Sequence, residues 1–274
     1  MADFYKENPY NVFWTENIND KKTTKWMSSR YPDVIIQCGW SQIFKKEILK
    51  IPKKYCIGIH PSPLPAGRGA AIMNWKIIES NQTSVDWGNS LFIMEEKTDT
   101  GAVLDFEPLV IEERDDIRTA YLKVDSTALT MLERTIPKIA KNIETITPQD
   151  NSKATRYYKR TPEDGKISLE WPIKKICDFV RALTHPYPGA FLETKHGRII
   201  IWELRRRYGF FSGKVGNVAS IKNPQNSCRG LSIIINDKDC IEITRLSDEN
   251  GNEFWADEWA RMVGLKNGDN LIND

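Results

Sequence analysis

Histidine is scarce and cysteine is scattered in this 274-residue sequence. His60, His185 and His196 are its only histidines, and no two have ligand-like spacing, so no metal site is expected. Cysteines 38, 56, 177, 228 and 240 form no Cys-x-x-Cys pair, which favours buried thiols in a reducing cytoplasm over disulfides or zinc. No apolar run is long enough to span a bilayer, and the start Met-Ala-Asp-Phe-Tyr-Lys-Glu-Asn has no h-region, so neither a membrane nor export is expected. A dominant charge is missing too: 39 Lys and Arg against 37 Asp and Glu leave a formal charge of +2. From Ala190 onward the count is 12 against 12. A tRNA-binding domain normally shows a basic face, so the balance leans away from nucleic acid.

What remains is an ordinary globular composition, 40% hydrophobic and 28% charged, at a length that favours two domains. The chain is organised around Tyr55 to Gly69. Tyr55, Cys56, Ile57 and Ile59 read as a strand that delivers His60 to its C-terminal end. Pro61, Pro63 and Pro65 then stiffen the chain, Gly67 and Gly69 allow close backbone approach, and residues 70–80 read as a helix. A histidine at a strand-to-helix crossing is where an open α/β sheet places its chemistry, although a lone histidine is often a satisfied core residue.

Upstream, Asn11 to Trp14 is a strand candidate, and Asn19-Asp20 caps a helix running through Trp26-Met27. Val34 to Trp40 suits a buried parallel strand, and Ser41 caps a helix carrying Ile43, Phe44, Ile48 and Leu49. This βαβ rhythm implies a parallel sheet. Downstream, strands at 90–94, 103–106 and 109–111 flank a polar loop that puts Asp99 at a strand edge. Such an aspartate is either a turn former or the partner that orients an imidazole. Residues 115–144 form the longest helical stripe, which Pro137 is expected to break or kink. Residues 146–168 are turn-rich and read as a linker, followed by a helix over 172–184. Short strands at 190–194, 198–204, 215–221, 231–236 and 240–246 make a small antiparallel barrel or sandwich, closed by a helix from Ala256 to Met262.

Four segments, taken together, carry a resemblance. Ile59 to Gly69 (Ile-His-Pro-Ser-Pro-Leu-Pro-Ala-Gly-Arg-Gly), Asp99-Thr100-Gly101, Arg160-Thr-Pro-Glu-Asp-Gly-Lys-Ile and Arg181 to Phe191 resemble the folate-dependent formyltransferases. The branch most similar is the two-domain one, which includes methionyl-tRNA formyltransferase and the sugar-nucleotide N-formyltransferases. The resemblance implies an α/β, Rossmann-like, mostly parallel sheet of formyltransferase type in residues 1–145. It further implies a linker over 146–168 and a small C-terminal β-barrel of OB-like form in 169–274. It implies transfer of a formyl group from N10-formyltetrahydrofolate to a primary amine, and the leading acceptor is a nucleotide-linked amino sugar of cell-surface glycan synthesis. A homodimer is among the open oligomeric states.

By that likeness His60 relays the proton of the attacking amine and Asp99 orients the imidazole. Trp40, Gln42, Ile43 and Thr98 lie where the folate would bind, and Arg68, Gly69 and Asn74 lie where the amine approaches, with Arg68 placed to pair with a phosphate. Trp40 and Ile43 could equally be core, and Arg68 a solvated side chain. Two departures stand out. The family's Asn-x-His places an asparagine where this chain has Gly58, and one lost oxyanion donor typically costs about 10²–10³ in rate. The apolar strand and helix that normally precede the segment matching Asn11 are also lacking, so either the sheet misses an edge or the N-terminus is remodelled. Two alternatives therefore stay open: an enzyme acting on initiator Met-tRNA, and a degenerate relative that binds folate or a nucleotide sugar without turnover.

Overall fold

A computed structural model describes residues 12–79, 87–222 and 229–272. Its chain divides into two compact units: residues 1–69, 85–109 and 124–156 in the first, and 70–84, 110–123 and 157–274 in the second.

The first unit is built on a four-stranded sheet in the order β1 (Val34–Gln37), β2 (Tyr55–His60), β3 (Gly88–Ile93), β4 (Val103–Pro108). β1 and β2 are parallel, whereas β2–β3 and β3–β4 are antiparallel. The sheet is thus mixed where the βαβ rhythm suggests a mostly parallel one. The loop between β3 and β4 is too short for a crossover and allows only an antiparallel return. Ile57, Leu91, Leu104, Met131 and Ile139 form one buried cluster of this unit, and Ile18, Phe44, Ile48 and Cys56 form another. Gln37 pairs with Gly58, so the chain leaving β1 runs beside the C-terminal end of β2.

Helix α1 (Lys21–Ser28) starts where the capping pair predicts: the Asp20 side chain accepts from Thr23 N at 2.6 Å. Residues 12–14 form no strand; Phe13 instead stacks on Trp26 with ring centroids 5.0 Å apart. The helix expected from Ser41 is reduced to α2 (Lys46–Leu49). Residues 42–45 are laced instead to 16–19: Gln42 Oε1 accepts from Ile18 N, Gln42 Nε2 donates to Glu16 O, and Asn19 Nδ2 donates to Ile43 O. These bonds take the place of helical ones. Helix α4 (Ile117–Lys141) runs through Pro137 without breaking. Proline removes one backbone donor, and Met131 and Ile139, buried on either side of it, hold the helix to the core. Ile143, beyond the helix end, is exposed.

The second unit contains α3 (Ile72–Ile78), α5 (Ile173–Leu183) and a six-stranded antiparallel sheet. Strands β5 (Ala190–Thr194), β6 (Gly197–Tyr208), β7 (Val218–Ile221), β8 (Leu231–Ile234) and β9 (Asp239–Ser247) are arranged in the order β5-β6-β9-β8-β7, and β10 (Glu253–Trp255) pairs with β9. The last helix, α6, covers Ala256–Met262. Strand β10 is too short to show an alternating pattern in sequence.

Candidate active site

Strand β2 is paired on both sides, so the position of its last residue is held by the sheet: His60 lies opposite Ser90, and Gly58 opposite Phe92. The proline-rich turn that follows is pinned from β3, where Ser90 Oγ donates to Ser62 O at 2.6 Å and accepts from Leu64 N at 3.2 Å. The turn then comes back to its own start. Gly67 O lies 2.8 Å from His60 Nε2. Gly67 has φ +74°, and a Cβ there would sit 2.9 Å from Ser62 Cβ, so only glycine fits.

That contact determines the imidazole's chemistry. A carbonyl oxygen only accepts, so Nε2 carries the proton, and in the neutral ring Nδ1 holds the free lone pair. Nδ1 faces Asp99 Oδ1 at 3.8 Å, with both side chains 9% exposed. The gap exceeds a direct hydrogen bond and leaves the carboxylate beside the unprotonated nitrogen.

Asp99 adopts φ +62°, a left-handed conformation that costs on the order of 1–3 kcal/mol for a residue other than glycine. Several bonds hold it. Asp99 Oδ2 accepts from Gly69 N at 2.8 Å, and Asp99 O accepts from Gln149 Nε2 at 3.0 Å. Gln149 Nε2 also donates to Gly101 O at 2.6 Å, while Gln149 Oε1 accepts from Arg68 Nη2 at 2.6 Å. Arg68 Nη2 donates further to Asn151 Oδ1 at 2.8 Å. Arg68 is 5% exposed, and among the described residues no carboxylate lies within ion-pair distance of it. It is therefore neither the solvated side chain nor the open phosphate-facing group that the sequence offers as alternatives.

The space beside Gly58 is taken. A Cβ on residue 58 would lie 2.6 and 2.8 Å from Cε1 and Cζ of Phe92 and 3.2 Å from Cγ of Met94. The Phe92 ring also stands edge-on to His60, with centroids 6.3 Å apart at 81°. Apolar carbon thus lies where the side chain of the family's asparagine would begin.

The residues expected at the folate are spread along neighbouring loops. Trp40 is 38% and Ile43 66% exposed, both on the segment leaving β1, and Thr98 is exposed just before Asp99. Gln42 has both ends of its amide engaged by residues 16–18. Asn74 lies in the second unit, fully buried, with Nδ2 donating to Ala182 O at 2.8 Å. Cys56, on β2, is no nucleophile: burial pushes its thiol up to about 11. Among the described residues no group of three or more His, Cys, Asp or Glu side chains could hold a metal ion.

Gln149, Phe92 and Thr155, whose Oγ1 accepts from Gly67 N at 2.8 Å, are the residues that sequence reasoning missed. Gln149 and Thr155 sit in a stretch whose polar, turn-rich composition reads as a linker. Phe92 reads as an ordinary strand residue, and only its register against Gly58 shows otherwise.

Residues 3–136 match the formyl transferase family model, and residues 159–264 match the model of the formyl transferase C-terminal domain. The bifunctional polymyxin resistance protein ArnA of Wigglesworthia glossinidia brevipalpis is 33% identical over 241 residues, covering 87% of this chain and 36% of that protein. HypX from Aquifex aeolicus, solved in complex with tetrahydrofolic acid, superposes with a TM-score of 0.70 at 19% identity over 92% of this chain and 44% of its own. Methionyl-tRNA formyltransferase from Clostridium thermocellum gives 0.60 at 22% identity, over 74% of this chain and 86% of its own. A sugar N-formyltransferase from a Shewanella species gives 0.57 at 22% identity, over 68% and 75%. The chain therefore spans 36% of the curated relative and 44% of the HypX chain. With the two models matching in order and together taking in most of the sequence, the chain belongs to the formyl transferase family.

Proposed function

We propose that this chain is a cytoplasmic N-formyltransferase that moves a formyl group from N10-formyltetrahydrofolate to the amine of a nucleotide-linked amino sugar. The observation that carries the reading is the buried His60–Asp99 pair, with Nδ1 of the imidazole unclaimed and turned toward the carboxylate. Amine attack on a formamide forms one C–N bond and breaks another, and the attacking nitrogen must shed a proton that the departing nitrogen regains. His60 Nδ1 takes that proton, Asp99 stabilises the imidazolium in the interval, and Gly67 O keeps the ring from turning.

The formyl donor supplies the activated one-carbon unit. Trp40 and Ile43 fit it in chemistry: they leave apolar surface exposed on the loop beside the C-terminal end of β2, as a flat heteroaromatic ring requires. With its amide committed, Gln42 would serve by holding that loop in place. The tetrahydrofolic acid complex of HypX, a protein of similar fold, supports the same donor.

For the acceptor, the even charge of the C-terminal 85 residues, 12 basic against 12 acidic, favours a small anionic substrate over tRNA. The fold shared with a sugar N-formyltransferase agrees with this. Arg68 would have to leave Gln149 and Asn151 to reach a phosphate, so the acceptor's phosphates are held elsewhere.

One observation favours a second reading. Phe92 lies where the side chain of an asparagine at residue 58 would begin, as expected of a relative that binds without turnover. Purified protein, N10-formyltetrahydrofolate and a panel of nucleotide amino sugars, followed for release of tetrahydrofolate, separate the two. Turnover abolished by His60→Ala supports the enzyme. Ligand binding by calorimetry with no turnover on any acceptor supports the binding protein.

A further inference from the structure

The segment read as a linker reaches both halves of the proposed acid–base pair. Gln149 Nε2 donates to the carbonyls of Asp99 and Gly101, at 3.0 and 2.6 Å, and so holds the strained turn that presents the carboxylate. Six residues later, Thr155 Oγ1 accepts from Gly67 N at 2.8 Å, and Thr155 O accepts from Arg68 N at 2.9 Å. Gly67 in turn fixes the protonated nitrogen of His60. The two contacts converge on the 3.8 Å separation between His60 Nδ1 and Asp99 Oδ1.

We infer that Gln149 is a positioning residue that acts through Asp99, with buried Arg68 as its anchor. An amide is the one neutral group of this length that both donates and accepts. Its oxygen takes the two bonds from Arg68 Nε and Nη2, and its nitrogen gives two to backbone carbonyls. A glutamate would satisfy Arg68 but turn a negative oxygen toward two carbonyl oxygens. A methionine would fill the volume and make none of the four bonds. In either case Asp99, left-handed at φ +62°, loses the tie that opposes relaxation to an ordinary conformation. The assignment of a catalytic outcome to this tie rests on the formyltransferase reading; the geometric claim does not.

The test uses the full chain with 15N-labelled histidine and glutamine, in wild type, Gln149→Met and Gln149→Glu. His60→Gln assigns the His60 ring signals among the three histidines. The wild type is expected to show the Nε2–H tautomer at His60 and slow exchange of the Gln149 side-chain amide protons. Both variants should shift the His60 Nδ1 signal while keeping the circular dichroism of the wild type. Where turnover is measured, kcat should fall by about 10²-fold, KM should change little, and the pH profile should alter. Unchanged His60 signals and an unchanged pH profile in folded variants would overturn the inference. If neither variant folds, amide exchange in the wild type decides: protons exchanging as fast as those of free glutamine remove the tie. A wild type without turnover counts against the formyltransferase reading alone, because the ring signals still report on Gln149.

Discussion

Gly58 and Phe92 face each other across β2 and β3, and the Phe92 ring lies where a side chain on residue 58 would begin. The glycine and the ring form one steric unit. Gly58→Ala is expected to lower stability by about 1–3 kcal/mol, because the added methyl meets ring carbon at 2.6 Å and the ring must move. Thermal denaturation measures this, and an alanine variant as stable as the wild type would show that the ring shifts freely.

The same pair predicts a gain. Gly58→Asn alone is expected to fold poorly, whereas Gly58→Asn with Phe92→Ala opens the volume for the amide beside His60. Turnover in the double variant should exceed that of the wild type, up to the roughly 10²–10³ that one oxyanion donor is worth. Single-turnover kinetics with a saturating donor provide the comparison. A well-folded double variant no faster than Phe92→Ala would mean that the oxyanion is met by other groups.

His60→Ala should reduce formyl transfer by about 10²–10⁴, the usual contribution of a positioned base. Asp99→Asn keeps the shape while removing the charge that stabilises the protonated ring, so kcat should fall more than KM rises. Steady-state kinetics on both variants give the answer, and wild-type kcat in Asp99→Asn would sever the carboxylate from the chemistry.

Thiol reactivity should follow burial. Cys56 and Cys177 are both pushed up to about 11, with burial the leading cause, whereas Cys38 is exposed. At pH 8 an alkylating reagent should label Cys38 in the native protein and spare Cys56 and Cys177 until denaturant is added. Peptide mapping by mass spectrometry resolves the sites, and native labelling of Cys56 would show that β2 opens.

Acid should reveal the Asp105 network. Burial on its own pushes the Asp105 carboxyl up, but Arg134, Thr135 and the Phe106 amide outweigh it, so the group sits below its ordinary 3.8. A carboxyl depressed in the folded state contributes stability above that ordinary value, and the contribution is lost as pH falls from 3.8 through the folded value. The wild type should therefore lose more stability than Arg134→Met over that acid window. Urea melts at pH 7 and at a series of pH values below 4 test it; parallel pH dependences would remove Arg134 as the cause.

Some of this molecule was legible from residue pattern alone. Asp20 announced α1, the apolar spacing of Ile173, Ile176 and Val180 marked α5, and α6 has the expected bounds. Local signals suffice where an element's caps and its buried face lie in one stretch of chain. They failed at residues 12–14, where a ring stack replaces strand pairing.

By itself, the sequence determined which residues could do chemistry: one histidine at a strand end, one aspartate in a tight loop, and a glycine in place of the family's asparagine. Only the tertiary structure decided which nitrogen of His60 is free, that Phe92 fills the space at Gly58, and that Gln149 and Thr155 bond to Asp99 and Gly67. The reason is distance along the chain. Asp99 and Gln149 are 50 residues apart, and no periodic pattern records a contact made once between loops.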